Sequence, residues 1–225
     1  MKKKIILILL GVLIVAAIIL ADVLIMQDED PKESEEQEEY LIDLGDDLYV
    51  LQLVNISGTF VEDGSDAKID MVAAITVENR GDKTLQLANI TLYVEGTEYA
   101  FSLTTLPPGE QAMIQETGKQ TFPIMEELPG AKTSNVVFFQ EEPSMHEDVF
   151  DITTEAYTIT VENKTDTDIA GPIYVYYKTK GEDYYQGGIT YRVQISGLEA
   201  GETYSAYAGH FYGEESQVMF VDYAE

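Results

Sequence analysis

The residues of this chain that could perform acid–base or metal chemistry are carboxylates and two histidines. His146 has Glu142, Glu147 and Asp148 close to it in sequence, and a histidine beside carboxylates can ligate a metal ion. In a chain with 41 Asp and Glu residues, such neighbours also arise by chance, and His210 is expected at a strand end. The absence of cysteine excludes thiol nucleophiles and thiolate metal sites. We therefore predict no metal centre and no cofactor.

Two aspartate groups provide further oxygen ligands. Asp63, Asp66 and Asp70 in "VEDGSDAKID" surround a glycine turn as calcium ligands do, but their spacing matches no EF-hand and favours a solvated hairpin loop. The same interpretation applies to Asp166 and Asp168. Paired carboxylates for glycoside hydrolysis would need a defined separation, and no two acids stand out in the sequence. No catalytic residue is predicted.

Tyrosine provides a different signal, which concerns binding rather than catalysis. Eleven of the fifteen tyrosines lie at or beyond Tyr157. Exposed tyrosines supply large contact areas at low entropic cost, which suits a protein or glycan interface, whereas β propensity with half-burial would explain the same residues without a partner. The candidate partner-binding residues are Tyr174, Tyr176, Tyr184 and Tyr185. The last two lie in the glycine-rich "GEDYYQGG", which predicts a mobile hairpin tip.

An apolar run near the N-terminus determines where these residues are expected to be. Ile5 to Ala21 is uninterrupted and, after Asp22, the run resumes to Met26, giving about 25–33 Å of helix against a hydrocarbon core of about 30 Å. A cleaved secretory signal is the competing interpretation, but this run is longer than a signal's apolar region. Lys2 to Lys4 flank it on one side only, so residues 1–26 predict a signal anchor with a cytoplasmic N-terminus and everything after it outside the membrane.

The charge of the chain restricts its partners. It has 13 Lys and Arg against 41 Asp and Glu, and removing the three lysines beside the anchor leaves 10 against 41, a net charge of −31. Such a surface repels nucleic acid and anionic headgroups. Solubility explains this charge, and attraction of cations or of a basic protein is the alternative.

The organisation after the anchor is an acidic linker followed by strands. "QDEDPKESEEQEE" cannot bury enough apolar surface to order itself, so residues 27–45 are predicted as a linker. Beyond them, short segments with period-two alternation, rich in β-branched and aromatic residues, are separated by Gly, Asn, Asp and Pro. This pattern predicts an all-β fold.

An internal repeat divides that all-β region. "ITVENRGDKTLQLANITLYVEG" from Ile75 resembles "ITVENKTDTDIAGPIYVYYKTKG" from Ile159, and "LPPGE" is followed by its counterpart "LEAGE". The second copy is about eight residues longer, which we assign to the hairpin between Lys178 and Gly188. We therefore predict two tandem immunoglobulin-like β-sandwich domains, at 46–128 and 129–225, after the N-terminal transmembrane helix.

A family resemblance accompanies the repeat. A strand ending in Glu-Asn, a polar turn and the strand "ITLYVEG" resemble the bacterial extracellular modules called FxLYD domains, with Ile90 and Val94 at the Phe and Asp positions of the family. More loosely, they resemble other immunoglobulin-like sandwiches of cell-surface proteins. The resemblance implies an adhesion or binding module without catalytic residues.

The function predicted from the sequence is that of a membrane-anchored extracellular, non-enzymatic binding or spacer protein of a bacterial cell envelope. Its expected partners are the membrane, through the N-terminal helix, and another envelope protein or a glycan, but no nucleic acid. The alternatives are a carboxylate-dependent hydrolase and a glycan-binding surface protein.

Overall fold

The structure, a computed structural model, describes residues 40–224. The predicted anchor and residues 27–39 of the predicted linker lie outside that range. Residues 40–224 form strands and one 3-10 turn, Gly213–Glu215, without any α-helix. No helix that could span a bilayer is found in this range. The predicted all-β class is confirmed for this part of the chain.

The described residues contain thirteen strands. They are β1 (Ile42–Gly45), β2 (Leu48–Phe60), β3 (Ala67–Asn79), β4 (Leu85–Val94), β5 (Thr97–Leu106), β6 (Gln111–Gln115), β7 (Gly130–Phe138), β8 (Phe150–Glu155), β9 (Thr158–Asn163), β10 (Ile173–Lys180), β11 (Tyr185–Ile195), β12 (Thr203–Tyr207) and β13 (Ser216–Tyr223). Residues 40–138 are called the first half below, 139–149 the connecting segment and 150–224 the second half.

The largest sheet contains strands from both halves. Its order is β1-β2-β3-β6-β11-β10-β13, and two three-stranded sheets have the orders β5-β4-β7 and β12-β9-β8. Neighbours in the large sheet are antiparallel except β6 and β11, which pair in parallel through Ala112 with Tyr185 and Met113 with Gln186. The halves are therefore joined by backbone pairing.

Two apolar cores lie on this framework. One cluster combines β2, β3 and β6 with β4 and β5, and the other combines β10, β11 and β13 with β8, β9 and β12. The alternation within single strands explains how the cores form. In β4, Ile90, Leu92 and Val94 are buried, while Thr91 and Tyr93 between them are not, because successive side chains point to opposite faces of a sheet.

The sequence repeat corresponds to a repeated buried asparagine. Asn79 ends β3, and its Nδ2 donates to the carbonyls of Lys83 (2.9 Å) and Leu106 (2.8 Å). Its Oδ1 accepts from the backbone N–H of Gly81 at 3.0 Å, and its carbonyl accepts from Gly109 at 2.7 Å. One side chain thus ties the turn after the strand to the "LPPGE" loop, satisfying groups that would otherwise be buried without partners.

The second copy makes the same connections. Asn163 ends β9, and its Nδ2 donates to the carbonyls of Thr167 (2.8 Å) and Glu199 (3.1 Å) and, more weakly, to that of Leu198 (3.4 Å), the counterpart of Leu106. Its Oδ1 accepts from the backbone N–H of Thr165 at 3.0 Å, and its carbonyl accepts from Gly201 at 3.0 Å. Both asparagines are fully buried. The repeated "VEN" is therefore a structural motif.

Two predicted segment boundaries differ from the structure. Strand β1 lies inside the predicted 27–45 linker, where Leu44 joins the first core. Strand β7 lies inside the predicted 129–225 domain but pairs with β4 of the first half. The physical reason is that Val136 and Phe138 pack against the first core. The change from one half to the other falls in the connecting segment, after the predicted boundary at 128/129.

Candidate functional site

The two halves meet around the fully buried side chain of Lys178 in β10. Its Nζ donates to the carbonyls of Thr104 (2.8 Å), Gly188 (3.1 Å) and Ile189 (3.1 Å). Thr104 belongs to β5 of the first half, and the other two residues belong to β11 of the second. Three carbonyls match the three N–H donors of an ammonium group. Burial lowers the pKa of Lys178 to about 7, and the Glu62 carboxylate opposes the shift.

A bulge in β11 brings those carbonyls to the lysine. Tyr177 pairs with Tyr191, whereas Thr179 pairs with Gln186, so residues 187–190 leave the regular ladder. This bulge fits closely against the first half. A Cβ at Gly188 would lie 1.8 Å from the backbone oxygen of Ser102. Only glycine allows this approach of two backbones.

We call the contact between β5 of the first half and the β11 bulge of the second half, with the Lys178 side chain between them, the seam. Polar side chains add hydrogen bonds to it. Glu62 accepts backbone N–H bonds from Gln115 and Gly188, each at 2.8 Å. Burial raises the pKa of Glu62, and these two donors oppose the rise. The hydroxyl oxygens of Thr104 and Thr190 are 2.9 Å apart. The seam therefore crosses between the halves through a connected hydrogen-bond network.

A groove of about 570 Å³ opens beside the seam. Gln86, Thr104 and Thr105 line it from the first half, and Thr190 lines it from the second. The connecting segment forms a further wall. This segment is held on both sides, because Phe139 N–H donates to the Thr84 carbonyl at 3.0 Å and Val221 N–H donates to the Ser144 carbonyl at 2.9 Å. The groove therefore lies where the halves meet, and its shape depends on the seam.

Aromatic rings form one side of the groove. Tyr176 of β10 and Phe220 of β13 are cross-strand partners, and their rings stack with centroids 4.3 Å apart and an interplanar angle of 12°. Phe139 of the connecting segment meets Phe220 edge-on at 5.4 Å. All three rings are half-buried. They present an apolar surface of the kind that ligand sites use for contact area.

Carboxylates form the polar part of the lining. Glu141, Glu142 and Asp222 are exposed at the groove, and Glu142 accepts a hydrogen bond from the Thr84 hydroxyl at 2.7 Å. Neither lysine nor arginine is found among the described lining residues. Among the ion pairs of residues 40–224, none includes any of these three acids. The groove is therefore both aromatic and negatively charged.

Two lining residues have an uncommon backbone conformation. Thr105 has φ = 47° and His146 has φ = 48°. Left-handed backbone is disfavoured for a β-branched residue such as Thr105. Thr105 immediately follows Thr104, whose carbonyl accepts from Lys178, so the seam holds this strained stretch in place.

The structure separates the four tyrosines proposed for partner binding. Tyr174 and Tyr176 are half-buried on one face of β10, and Tyr176 lines the groove. Tyr184 is half-buried in the turn before β11, away from that lining. Tyr185 is fully buried in the core of the first half, and its hydroxyl contacts Gln217 Oε1 at 3.2 Å.

The expectation that "GEDYYQGG" is a mobile tip is therefore corrected. Its last two glycines, Gly187 and Gly188, permit close contact with the first half, and the Tyr185 ring fills that half's core. A ring buried in this way is not available to a partner. Partner binding through Tyr174, Tyr176 and Tyr184 stays a prediction.

The aspartates considered as calcium ligands and assigned to a solvated loop, Asp63, Asp66 and Asp70, have separate partners in the structure. Asp63 accepts from Ser65 N–H at 2.9 Å, Asp70 accepts from the Ser57 hydroxyl at 2.6 Å, and Asp66 approaches His210 Nδ1 at 3.4 Å. Within residues 40–224, no three His, Asp or Glu side chains are placed to hold a metal ion. His146 lies in the groove wall, where its ring meets Tyr223 edge-on at 5.0 Å.

Sequence reasoning missed three residues that define this region. In the sequence, Lys178 looks like any lysine in a strand. Its spacing of two residues from Tyr176, which places both on one face of β10, is the only local signal of its position. The sequence assigned no role to Phe139 and Phe220, because neither belongs to a motif or to the tyrosine group. Their meeting depends on the strand order of the large sheet, which the local pattern does not encode.

No model of a protein family matches the chain, and no curated protein sequence matches it either.

Proposed function

We propose that this chain is a membrane-anchored extracellular protein of a bacterial cell envelope that binds a ligand without chemical turnover. The observation that carries the proposal is the groove of about 570 Å³ with its three aromatic rings and three carboxylates. Its volume falls in the range of about 300–1,000 Å³ that ligand sites occupy. The apolar run at residues 5–26 and its flanking lysines support the anchor.

The finer architecture belongs to the same proposal. We infer two tandem immunoglobulin-like modules, similar to FxLYD domains, one in each half. The separate apolar cores and the matching bonds of Asn79 and Asn163 support two copies of one plan. The inserted residues of the second copy then act as the connection between the modules.

The chemistry of the lining favours binding over catalysis. The groove contains Ser144 and His146, which could serve as a nucleophile and a base. The Ser144 hydroxyl, however, accepts a hydrogen bond from the backbone N–H of His146 at 3.0 Å. No hydrogen bond among the described residues joins that hydroxyl to the imidazole, so the nucleophile lacks an activating base.

A ligand panel tests the binding function. The full chain in detergent is screened against basic, acidic and neutral peptides and against oligosaccharides. We expect at least one compound to bind the wild type. Tyr176→Ala should lower the affinity for that compound at least about tenfold, because the substitution removes an aromatic ring from the groove lining. Tyr207→Ala is the matched control, since Tyr207 is 77% exposed and does not line the groove. Hits that Tyr176→Ala leaves unchanged, or compounds that the protein converts, would contradict the proposal.

A protease experiment tests the predicted orientation. Protease added to intact cells should remove residues beyond the anchor, because the three lysines keep only the N-terminus inside. Immunoblotting with an antibody against the second half measures the loss. A chain that is digested only after lysis would refute an extracellular location.

A further inference from the structure

We propose that the groove recognises a lysine side chain within a basic, unstructured segment of a partner protein. This inference rests on the proposed binding function and specifies the ligand class of the same site. Three observations lead to it: the uncompensated carboxylates of the lining, the aromatic rings beside them, and the acidity of the whole chain.

The lining favours a positive charge. Glu141, Glu142 and Asp222 provide three carboxylates, and no described lysine or arginine lines the groove to neutralise them. Two basic residues of strands β10 and β11, Lys178 and Arg192, lie outside the lining. Lys178 donates to three backbone carbonyls in the seam. Arg192 is exposed and is the cross-strand partner of Tyr176, and its guanidinium lies 4.7 Å from the centroid of the Tyr174 ring beside the groove. The three carboxylates outnumber this one neighbouring cation, so a ligand ammonium would balance the remaining negative charge of the groove.

The aromatic rings suit the same ligand. Lysine and arginine groups within about 6 Å of an aromatic ring are attracted by the negative ring face. This chain makes such contacts itself, with Lys119 Nζ 4.2 Å from the Phe60 centroid and Lys180 Nζ 4.9 Å from the Tyr185 centroid. In the groove, the rings provide an apolar contact for the methylene stem of a lysine while the carboxylates pair with its head.

The overall charge indicates a partner other than a second copy. The chain carries a net charge of −28, so two copies repel each other, whereas a basic segment is attracted over a longer range. The face around the groove also accommodates an extended chain. Tyr174 and Gln194 are cross-strand partners that continue the same face of the large sheet beyond Tyr176, so neighbouring residues of a bound segment find further surface.

The test compares two peptides of equal length. The lysine peptide is acetyl-Gly-Lys-Gly-Lys-Gly-Lys-amide, and its twin carries an acetyl group on every Nε. Calorimetry with the full chain in detergent should show binding of the lysine peptide, at least about tenfold weaker binding of the acetylated twin, and weaker binding as salt rises. Equal affinities of the two peptides would overturn the proposal.

Charge-matched variants separate the groove from the general acidity of the protein. The double variant Asp222→Asn with Glu141→Gln should lower the affinity for the lysine peptide by at least about tenfold. Asp151→Asn with Glu155→Gln removes the same charge from exposed positions in β8 and should change affinity little. Equal losses in both double variants would mean non-specific attraction and would overturn the inference.

The outcome also distinguishes this inference from the binding function on which it rests. One outcome is that an oligosaccharide binds the wild type, that Tyr176→Ala abolishes this binding, and that the lysine peptide does not bind. The groove would then be a binding site, but the proposed ligand class would be wrong. If neither the panel nor the lysine peptide binds to the groove, both proposals fail.

Discussion

Replacing Lys178 with methionine is expected to lower the free energy of unfolding by about 2–4 kcal/mol at neutral pH. The substitution keeps the length of the side chain but removes the donor to three carbonyls in the seam. Each buried carbonyl that loses its donor costs about 1–3 kcal/mol of stability. The variant no longer pays the free-energy cost of burying an amine, which offsets part of the total for the three carbonyls. Urea unfolding of the full chain in detergent, followed by near-ultraviolet circular dichroism, measures the change.

The pH dependence of this effect has a definite sign. Burial holds the pKa of folded Lys178 at about 7, whereas an unfolded lysine has a pKa of about 10.4. Between these values the unfolded state binds more protons, so the Lys178 contribution to stability rises with pH, by at most about 1.4 kcal/mol per unit. Below pH 7 the amine is charged in both the folded and the unfolded state. The folded state then bears the full free-energy cost of burying a charged amine, and the Lys178 contribution no longer changes with pH.

The stability difference between the wild type and Lys178→Met should therefore widen from about pH 7 to about pH 10. Lys180→Met is the matched control, because Lys180 lies on the same strand but forms a partly exposed ion pair with Glu110 at 3.2 Å. That variant should lose less than about 1 kcal/mol. Parallel pH profiles of the wild type and Lys178→Met would contradict the role assigned to the buried amine.

Gly188→Ala is expected to be the most damaging single-methyl change in the seam. The new Cβ would lie 1.8 Å from the Ser102 backbone oxygen, so β5 and β11 must separate. Overpacking of this kind costs about 3 kcal/mol, and here it also stretches the bonds that Gly188 makes to Lys178 and Glu62. Thermal unfolding should show a loss of several degrees or more.

Gly130→Ala provides the control for that substitution. The nearest atom to a Cβ at Gly130 is 4.0 Å away, and its φ is not in the left-handed range. This alanine should be neutral or slightly stabilising, because it reduces the entropy of the unfolded chain. If Gly188→Ala melts like Gly130→Ala, the close approach of β5 and β11 is absent.

The strand content was predictable because burial alternates along single strands. "ITLYVEG" encodes its own buried face, and β4 forms there. The repeat was also visible in the sequence. Asn79 and Asn163 each hydrogen-bond to a residue four positions later and to one loop, "LPPGE" or "LEAGE", so each copy keeps the same short segments. These features depend on local sequence, which a reader of the sequence can assess directly.

The seam and groove were not predictable for the opposite reason. A glycine pair in a strand pattern signals either a turn or a close backbone contact, and only the position of Ser102 decides between them at Gly188. Tyr185 was placed on a tip because its partners, the first-half core residues, lie far away in sequence. Phe139 and Phe220 meet only once the connecting segment lies beside β13.

Cross-linking of the two halves beside the groove tests the central claim most directly. The hydroxyl oxygens of Thr104 and Thr190 are 2.9 Å apart, and the chain has no native cysteine. The double variant Thr104→Cys with Thr190→Cys should therefore form one intramolecular disulfide under mild oxidation, detected by mass and by thiol titration. Thr104→Cys with Thr160→Cys, which places the second thiol on β9, should remain reduced. Free, fully reactive thiols in the Thr104 and Thr190 double variant would contradict a junction at which the two halves build one groove.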